Sequence, residues 1–528
     1  MELQSISELE KATSKGRQEL FRIGIALLFI VGIMLFTGMR DGMDTPDHIL
    51  MVVAAVIGGY MALNIGANDV ANNVGPAVGS KALTLGGAIV LAAIFEASGA
   101  LIAGGEVVST IKKGIINPAA IGDTDTFVWL MMAALLAGAL WLNIATALGA
   151  PVSTTHSIVG GVLGAGIAAG GVGIANWDKM GAIAASWIIS PVMGGIIAAA
   201  FLLLIKRTIT YQGDMIAAAK RMVPLLVGLM VWAFATYLAL KGFKKIWKVD
   251  FGSAVLIGFV AGVLVLVVVR PLIARVADKL PNEKQSINKL FTLPLIFAAA
   301  LLSFAHGAND VANAVGPLAA INDAIIHGGI SQKASIPLWV MMVGALGIAV
   351  GLALYGPKLI KTVGSEITEL DKMRAFCIAM AAAVTVIFAT QLGLPVSSTH
   401  IAVGGIFGVG FLREFIKTSY AKMVEEIKRH HQDDADPEAI EAYLMEFKKA
   451  SLRKKGEMLH ELKQRYKSDN QEAPLTKKER KGLRKVYRHE LVKRSALLKI
   501  AAAWVITVPL SGLMAGLLYF TIRGMMLP

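Results

Sequence analysis

The sequence predicts an all-α polytopic membrane protein with about ten to twelve transmembrane helices. Composition is the first reason. Of 528 residues, 55% are apolar and 17% charged, whereas soluble domains carry about 25% charged residues. The second reason is the recurrence of apolar runs of about 18 or more residues, each long enough to cross ~30 Å of hydrocarbon. The third is internal duplication: two motifs return in the same order in each half of the chain. Length alone would allow three or four soluble domains of ~150 residues. A soluble core, however, cannot hide so many helices that are apolar on every side.

The apolar runs fall at 23–39, 49–65, 84–103, 127–150, 180–205, 223–240, 251–269, 291–305, 337–356, 375–394 and 498–522. Residues 1–20 mix charges, and no small-residue cleavage site precedes the run beyond Arg22, so 23–39 reads as a retained helix. Cys377 is the single cysteine and lies in an apolar run; it excludes a disulfide within one chain and reads as a packing residue. The net charge of +14 is concentrated in 411–494, as in Lys477-Lys478-Glu479-Arg480-Lys481. A nucleic-acid surface is one reading of such a segment. Its position between membrane helices favours a cytoplasmic loop beside anionic lipid. The short link Arg40 to His48 holds three Asp and one Arg, which suits the outer face and puts the N-terminus inside. These features divide the chain into an N-terminal segment with an extra helix (1–47), a first transport repeat (48–205), connecting helices (206–290), a second repeat (291–412), a basic loop (413–497) and a C-terminal helix (498–528).

The duplication carries the chemistry. Gly66-Ala67-Asn68-Asp69-Val70-Ala71-Asn72-Asn73-Val74-Gly75-Pro76 returns as Gly307-Ala308-Asn309-Asp310-Val311-Ala312-Asn313-Ala314-Val315-Gly316-Pro317, identical at ten of eleven positions. Pro151-Val152-Ser153-Thr154-Thr155-His156 returns as Pro395-Val396-Ser397-Ser398-Thr399-His400. Duplicated halves with substrate held between them are a habit of secondary transporters. Asp69 and Asp310 follow long apolar stretches, where a charge costs at least ~2.5–3.5 kcal/mol at a helix centre. Asn68 and Asn72, like Asn309 and Asn313, are four apart and share a helix face. Asn68, Asp69, Asn309 and Asp310 offer hard oxygen ligands for an alkali cation such as Na⁺, or Asp sites for a proton. A polar helix-packing interface is the plainer reading of one motif; two copies, each with a charged Asp, favour a site. No His/Cys spacing suits a transition metal.

The Pro-Val-Ser motifs read as helix starts, whose free N–H groups attract anions. Ser153, Thr154, Thr155, Ser397, Ser398 and Thr399 can add hydroxyl donors, and Asn72 and Asn313 belong to the same candidate anion site. An ordinary Ser or Thr cap is the plainer reading of either copy alone. Gly-rich stretches follow both copies, which suggests a re-entrant hairpin in each half. His156 and His400 can orient hydroxyls or carry protons, or simply pack. Glu96, an intramembrane carboxylate without an acidic counterpart in the second half, is a secondary candidate. Lys81 and Lys112-Lys113 read as interfacial snorkelling residues rather than ligands.

At these residues the sequence resembles the Pit-type inorganic phosphate transporter family, over roughly 48–412 and the final helix. The resemblance implies an inverted-repeat fold, import of phosphate by symport with Na⁺ or H⁺, and alternating access. It also implies cation and phosphate binding by Asn68, Asp69, Asn72, Asn309, Asp310 and Asn313, with Ser153, Thr154, Thr155, Ser397, Ser398 and Thr399 on phosphate. Such a protein is no enzyme and needs no cofactor beyond the co-transported ion. Its expected partners are phosphate, the coupling cation and membrane lipid, with a homo-oligomer open and nucleic acid excluded. It would sit in the plasma membrane, as in a bacterial inner membrane. Two alternatives remain at this level. One is transport of another tetrahedral oxyanion such as sulfate; the other is an intramembrane hydrolase pairing Ser153 or Ser397 with His156 or His400.

Overall fold

The computed structural model describes residues 2–40, 46–148, 152–241, 249–328, 336–365, 370–430, 442–446, 458 and 494–526. Most of the basic loop at 413–497 therefore lies outside the described residues. The N-terminal part comprises α1 (Glu2–Gly38), α2 (Pro46–Asn68), α3 (Val70–Gly79), α4 (Leu85–Ala103), α5 (Gly105–Lys113), α6 (Thr124–Leu148) and α7 (Thr154–Gly170). Next come α8 (Trp177–Ile205), α9 (Met215–Lys241), α10 (Phe251–Ala277) and the short α11 (Lys284–Leu290). The second half holds α12 (Thr292–Asp310), α13 (Ala312–His327), α14 (Leu338–Ser365), α15 (Lys372–Gln391), α16 (Ser398–His430) and α17 (Arg494–Met526). No sheet forms among the described residues, and a single bridge joins Ile116 to Ala175.

Twelve spans among the described residues are long and apolar enough to cross a membrane. Their outer faces carry large apolar side chains, as at Leu256, Leu264 and Val267 of α10, all more than half exposed. In water such a surface would aggregate; in lipid it is solvated. Polar side chains close the helix starts. Thr84 accepts from the Gly87 amide at 3.1 Å and Asp371 from the Arg374 amide at 2.9 Å. Asp250, at the start of α10, accepts from the amide and hydroxyl of Ser253. Those bonds hold its carboxyl below the usual carboxylate range.

Hydrogen bonds between loops sort the helix ends onto two faces. The Asn117 amide donates to Ile174 O and the Asn176 amide to Ile115 O, joining the end of α5 to the end of α7. Thr124, at the start of α6, donates to Gly328 O at the end of α13. These ends define a first face. On the second face Met215 N donates to Asn282, Lys220 pairs with Asp278, and Lys372 donates to Thr292. Both open ends of α6 and α7 thus lie on the first face, so this pair is a hairpin that dips into the protein and returns. From that hairpin the chain crosses by α8, α9 and α10, and α12–α13 runs from the second face to the first. The α2–α3 pair runs the other way, because α4 and α5 carry the chain onward to the first face. The two repeats are therefore inverted.

Close approach of backbones locks each broken helix to the opposite half. A Cβ at Gly99 of α4 would lie 2.0 Å from Phe304 O, and one at Gly307 of α12 2.1 Å from Glu96 O. The counterparts are Gly351 of α14, 1.9 Å from Leu63 O, and Gly66 of α2, 1.9 Å from Ile348 O. Similarly α8 lies on α16, with Gly195 meeting Gly404, and α17 lies on α7, with Gly512 meeting Gly160. Only glycine permits backbones this near.

Candidate functional site

The helix breaks and the helix starts converge on one buried centre. Asp69 sits at the α2–α3 junction, with Asp310 closing α12 before α13. Each junction stays right-handed but loses regular bonding, since the Asn72 amide turns to Asp69 O and the Ala314 amide to Val311 O. Asp69 receives the Thr154 hydroxyl on Oδ2 at 2.5 Å and the Thr399 hydroxyl on Oδ1 at 2.9 Å. Those threonines open α7 and α16, so one carboxylate touches both helix starts. Asp310 receives the Ser398 hydroxyl at 3.1 Å. Asn72 donates to Thr399 at 2.8 Å, and Asn313 donates to Thr154 at 3.0 Å and Thr155 at 3.2 Å. Thr155 in turn donates to Val396 O at 2.9 Å, across the halves.

The remaining motif residues bond the helix ends. Asn68 donates to Thr146 at 3.0 Å and accepts from the Val152 amide at 3.2 Å, holding the tip of the α6–α7 hairpin. Asn309 donates to Thr390 and Leu394 O, holding the second hairpin likewise. Ser153 and Ser397 cap their helices by accepting from the His156 and His400 amides. The rings of His156 and His400 meet edge to face at 4.4 Å, flanked by Trp187 at 3.9 Å and Trp504 at 3.6 Å. They pack in a four-ring stack. No Ser–His side-chain bond forms among the described residues, which removes the geometric basis for a hydrolase.

Two features were not foreseen. His306, four residues before Asp310 on one helix face, lies with Nε2 2.8 Å from Asp310 and Nδ1 2.6 Å from Glu96. Asn73 donates to the other oxygen of Glu96 at 2.8 Å. The signal for His306 lay in the repeat itself, because the residue before Gly66 is Ile65 and the residue before Gly307 is His306. The second is a correction. Lys112 does not snorkel: it is 4% exposed and bonds Asp323 of α13 at 2.8 Å. That acid, provided by the inverted partner repeat, lets the charge stay buried. Lys81, by contrast, is exposed as expected.

Several buried oxygens in the centre have no donor among the described residues: Oδ1 of Asn72, Asn309, Asn313 and Asp310. Oxygens that can only accept, gathered with two carboxylates, are the chemistry of a hard-cation site. Asp69, His306 and Asp310 each present a ligand atom within 4.8 Å of one another.

Comparison with known proteins bears on the family and the fold. The chain is 53% identical over 526 residues to a candidate phosphate permease of Helicobacter pylori strain J99, covering 98% of each. It is 40% identical over 370 residues to one of Pyrococcus horikoshii, covering 69% of this chain and 89% of the relative. A solved sodium-dependent phosphate transporter superposes with a TM-score of 0.73 at 28% identity, covering 91% of this chain and all of the other. The family described as the phosphate transporter family matches residues 65–515. This chain belongs to that phosphate transporter family.

Proposed function

We propose that the protein imports inorganic phosphate by symport with Na⁺ through alternating access. One observation carries the reading: hydroxyls from the starts of α7 and α16, in opposite repeats, meet on the single carboxylate of Asp69. A site built from both inverted halves is where alternating access needs its substrate. The amides at these two helix starts, with Thr154, Thr155, Ser398 and Thr399, provide the anion side; Ser153 and Ser397 set the helix starts. Asp69, Asp310 and the orphan oxygens of Asn72, Asn309 and Asn313 provide the cation side. Asn68 holds the hairpin tip over it. Neutral donors and a co-bound cation let the anion leave again, which a buried Arg pair would resist.

The end of α16, which the basic loop follows in the chain, and the start of α1 share the second face, and the excess of Lys and Arg in the sequence there supports reading that face as cytoplasmic in a bacterial cell. Sodium is preferred because the orphan groups are oxygens; it is also the ion in the description of the superposed transporter. Coupling to H⁺ is the second reading, favoured by His306 bridging two carboxylates. In proteoliposomes, phosphate uptake should follow an imposed Na⁺ gradient and ignore a pH gradient. The reverse result would move the coupling to protons. Sulfate uptake undiminished by excess phosphate would overturn the choice of anion.

A further inference from the structure

A cavity of about 420 Å³ lies between α1, α2, α6 and α14, outside the centre just described. Its polar lining includes Arg22, Tyr60, Asn64, Asn143, Thr146 and Tyr355. Thr146 accepts from Asn68, so the cavity floor is one hydrogen bond from the central site. Asn64 and Asn143 bond each other at 3.3 Å along the wall. The outer wall is α1, the helix that lies ahead of the family match. His48, at the start of α2, contacts Gly38 O at the end of α1, so that end of α1 lies on the first face. Glu19 and Arg22 therefore point the mouth toward the second face, which bears the start of α15 and the basic loop. The α6–α7 hairpin enters from the opposite face, and Thr146 and Ala147 near the end of α6 line the cavity.

We propose that this cavity is an aqueous vestibule that holds phosphate between the central site and the second face, with Arg22 as its charged ligand. The space admits an oxyanion with several waters, each about 30 Å³ in the liquid. A guanidinium and two tyrosine hydroxyls match phosphate oxygens. Glu19 pairs with Arg22 at 2.8 Å and competes with the anion, so occupancy is brief, as transit requires. A lipid pocket is the competing occupant: the α1 wall is apolar, from Ile23, Ala26, Leu27 and Ile30, and the amide and hydroxyl groups stand on the inner wall alone.

The inference rests on phosphate as the transported ion, so the test separates the two. Ala147→Cys puts a thiol on the cavity wall, and the single native Cys377 is fully buried. In oriented proteoliposomes a charged methanethiosulfonate applied to the second face should modify it, and phosphate should slow the reaction. Arg22→Gln should raise the phosphate concentration needed for protection by about tenfold. Protection should persist in Asp69→Asn, where the central site is impaired. Labelling only by a lipid-soluble maleimide, an unchanged protective concentration in Arg22→Gln, or protection lost with Asp69→Asn would each overturn the vestibule. Absence of phosphate uptake by unmodified vesicles would overturn the transport reading instead.

Discussion

The two repeats share a backbone frame and differ in what lines it. Around Asp310 stand His306, Glu96 and Asn73. The corresponding positions around Asp69 are Ile65, Ile348 and, for Asn73, Ala314 in the other copy. One carboxylate is thus tied to a histidine and a second acid, while the other has hydroxyls from two helix starts. The frame is symmetric because inverted repeats must exchange roles between two access states. The lining is not, because only one cation-and-anion centre needs to form. The proposed cation side thus draws on two unlike carboxylates: Asp69 under two helix starts, and Asp310 at the end of a polar chain.

The largest effect should therefore come from Asp69→Asn. It removes the carboxylate charge that receives both helix-start hydroxyls, and coupled uptake should fall by ~100-fold or more, a transition-state loss of about 2.7 kcal/mol. Asp310→Asn should fall less and change the dependence on Na⁺ concentration. Initial uptake rates in vesicles with matched protein content measure both. Equal losses with identical ion dependence would erase the distinction between the halves.

The largest expected loss of stability, as opposed to transport, is in the polar chain itself. His306→Ile copies the first repeat's residue but leaves Glu96 and Asp310 buried without their bridge. Removing one member of a buried ion pair costs about 3–5 kcal/mol. Glu96→Ile combined with His306→Ile removes the pair together and should recover much of that loss. Thermal unfolding in detergent reads both variants, and a double variant no more stable than the single one would show that Glu96 and His306 do not act as a pair.

How far these assignments were legible in sequence follows the same division. Eleven of the twelve spans follow from apolar runs alone, and the duplicated Asn-Asp and Ser-Thr motifs converge on the buried centre. The span Ser398–Ile416 has a mean hydropathy of only 1.2, because its first residues are the Ser, Thr and His of the site. The hairpins and the inversion were not legible from hydropathy. They depend on loop bonds such as Asn117 to Ile174, between residues far apart in the chain. The bonds of Asn68 and Lys112 were hidden for the same reason: their partners, Thr146 and Asp323, lie on other elements. His306 alone was visible as a difference between copies, for a reader aligning one residue further upstream.

The shared frame makes a symmetric prediction of middle size. Gly99→Ala and Gly351→Ala each drive a methyl into a carbonyl oxygen of the facing helix, Phe304 or Leu63. Overpacking of this kind costs about 1–3 kcal/mol, and backbone cannot step aside as a side chain can. The two losses should match within about 0.5 kcal/mol, the scatter expected of equivalent independent sites. A large loss at one glycine alone, read by thermal unfolding, would mean that only one of the two crossings is tight.

The smallest effect concerns the rings at the centre of the fold. Trp187 Nε1 donates to Pro395 O at 3.1 Å, tying α8 to the second hairpin. Trp504, stacked on His400 where Trp187 is tilted against His156, has no acceptor for Nε1 among the described residues. Trp→Phe keeps a ring and deletes the donor. At Trp187 it leaves a carbonyl short of one bond and should cost about 1 kcal/mol. At Trp504 it removes a buried N–H and should cost less, or even stabilise the state described here. Trp187→Phe should lower stability and Trp504→Phe should leave it nearly unchanged, as read by thermal unfolding in detergent. Equal destabilisation by both variants in the same buffer would place the two rings in equivalent surroundings and remove this last difference between the halves.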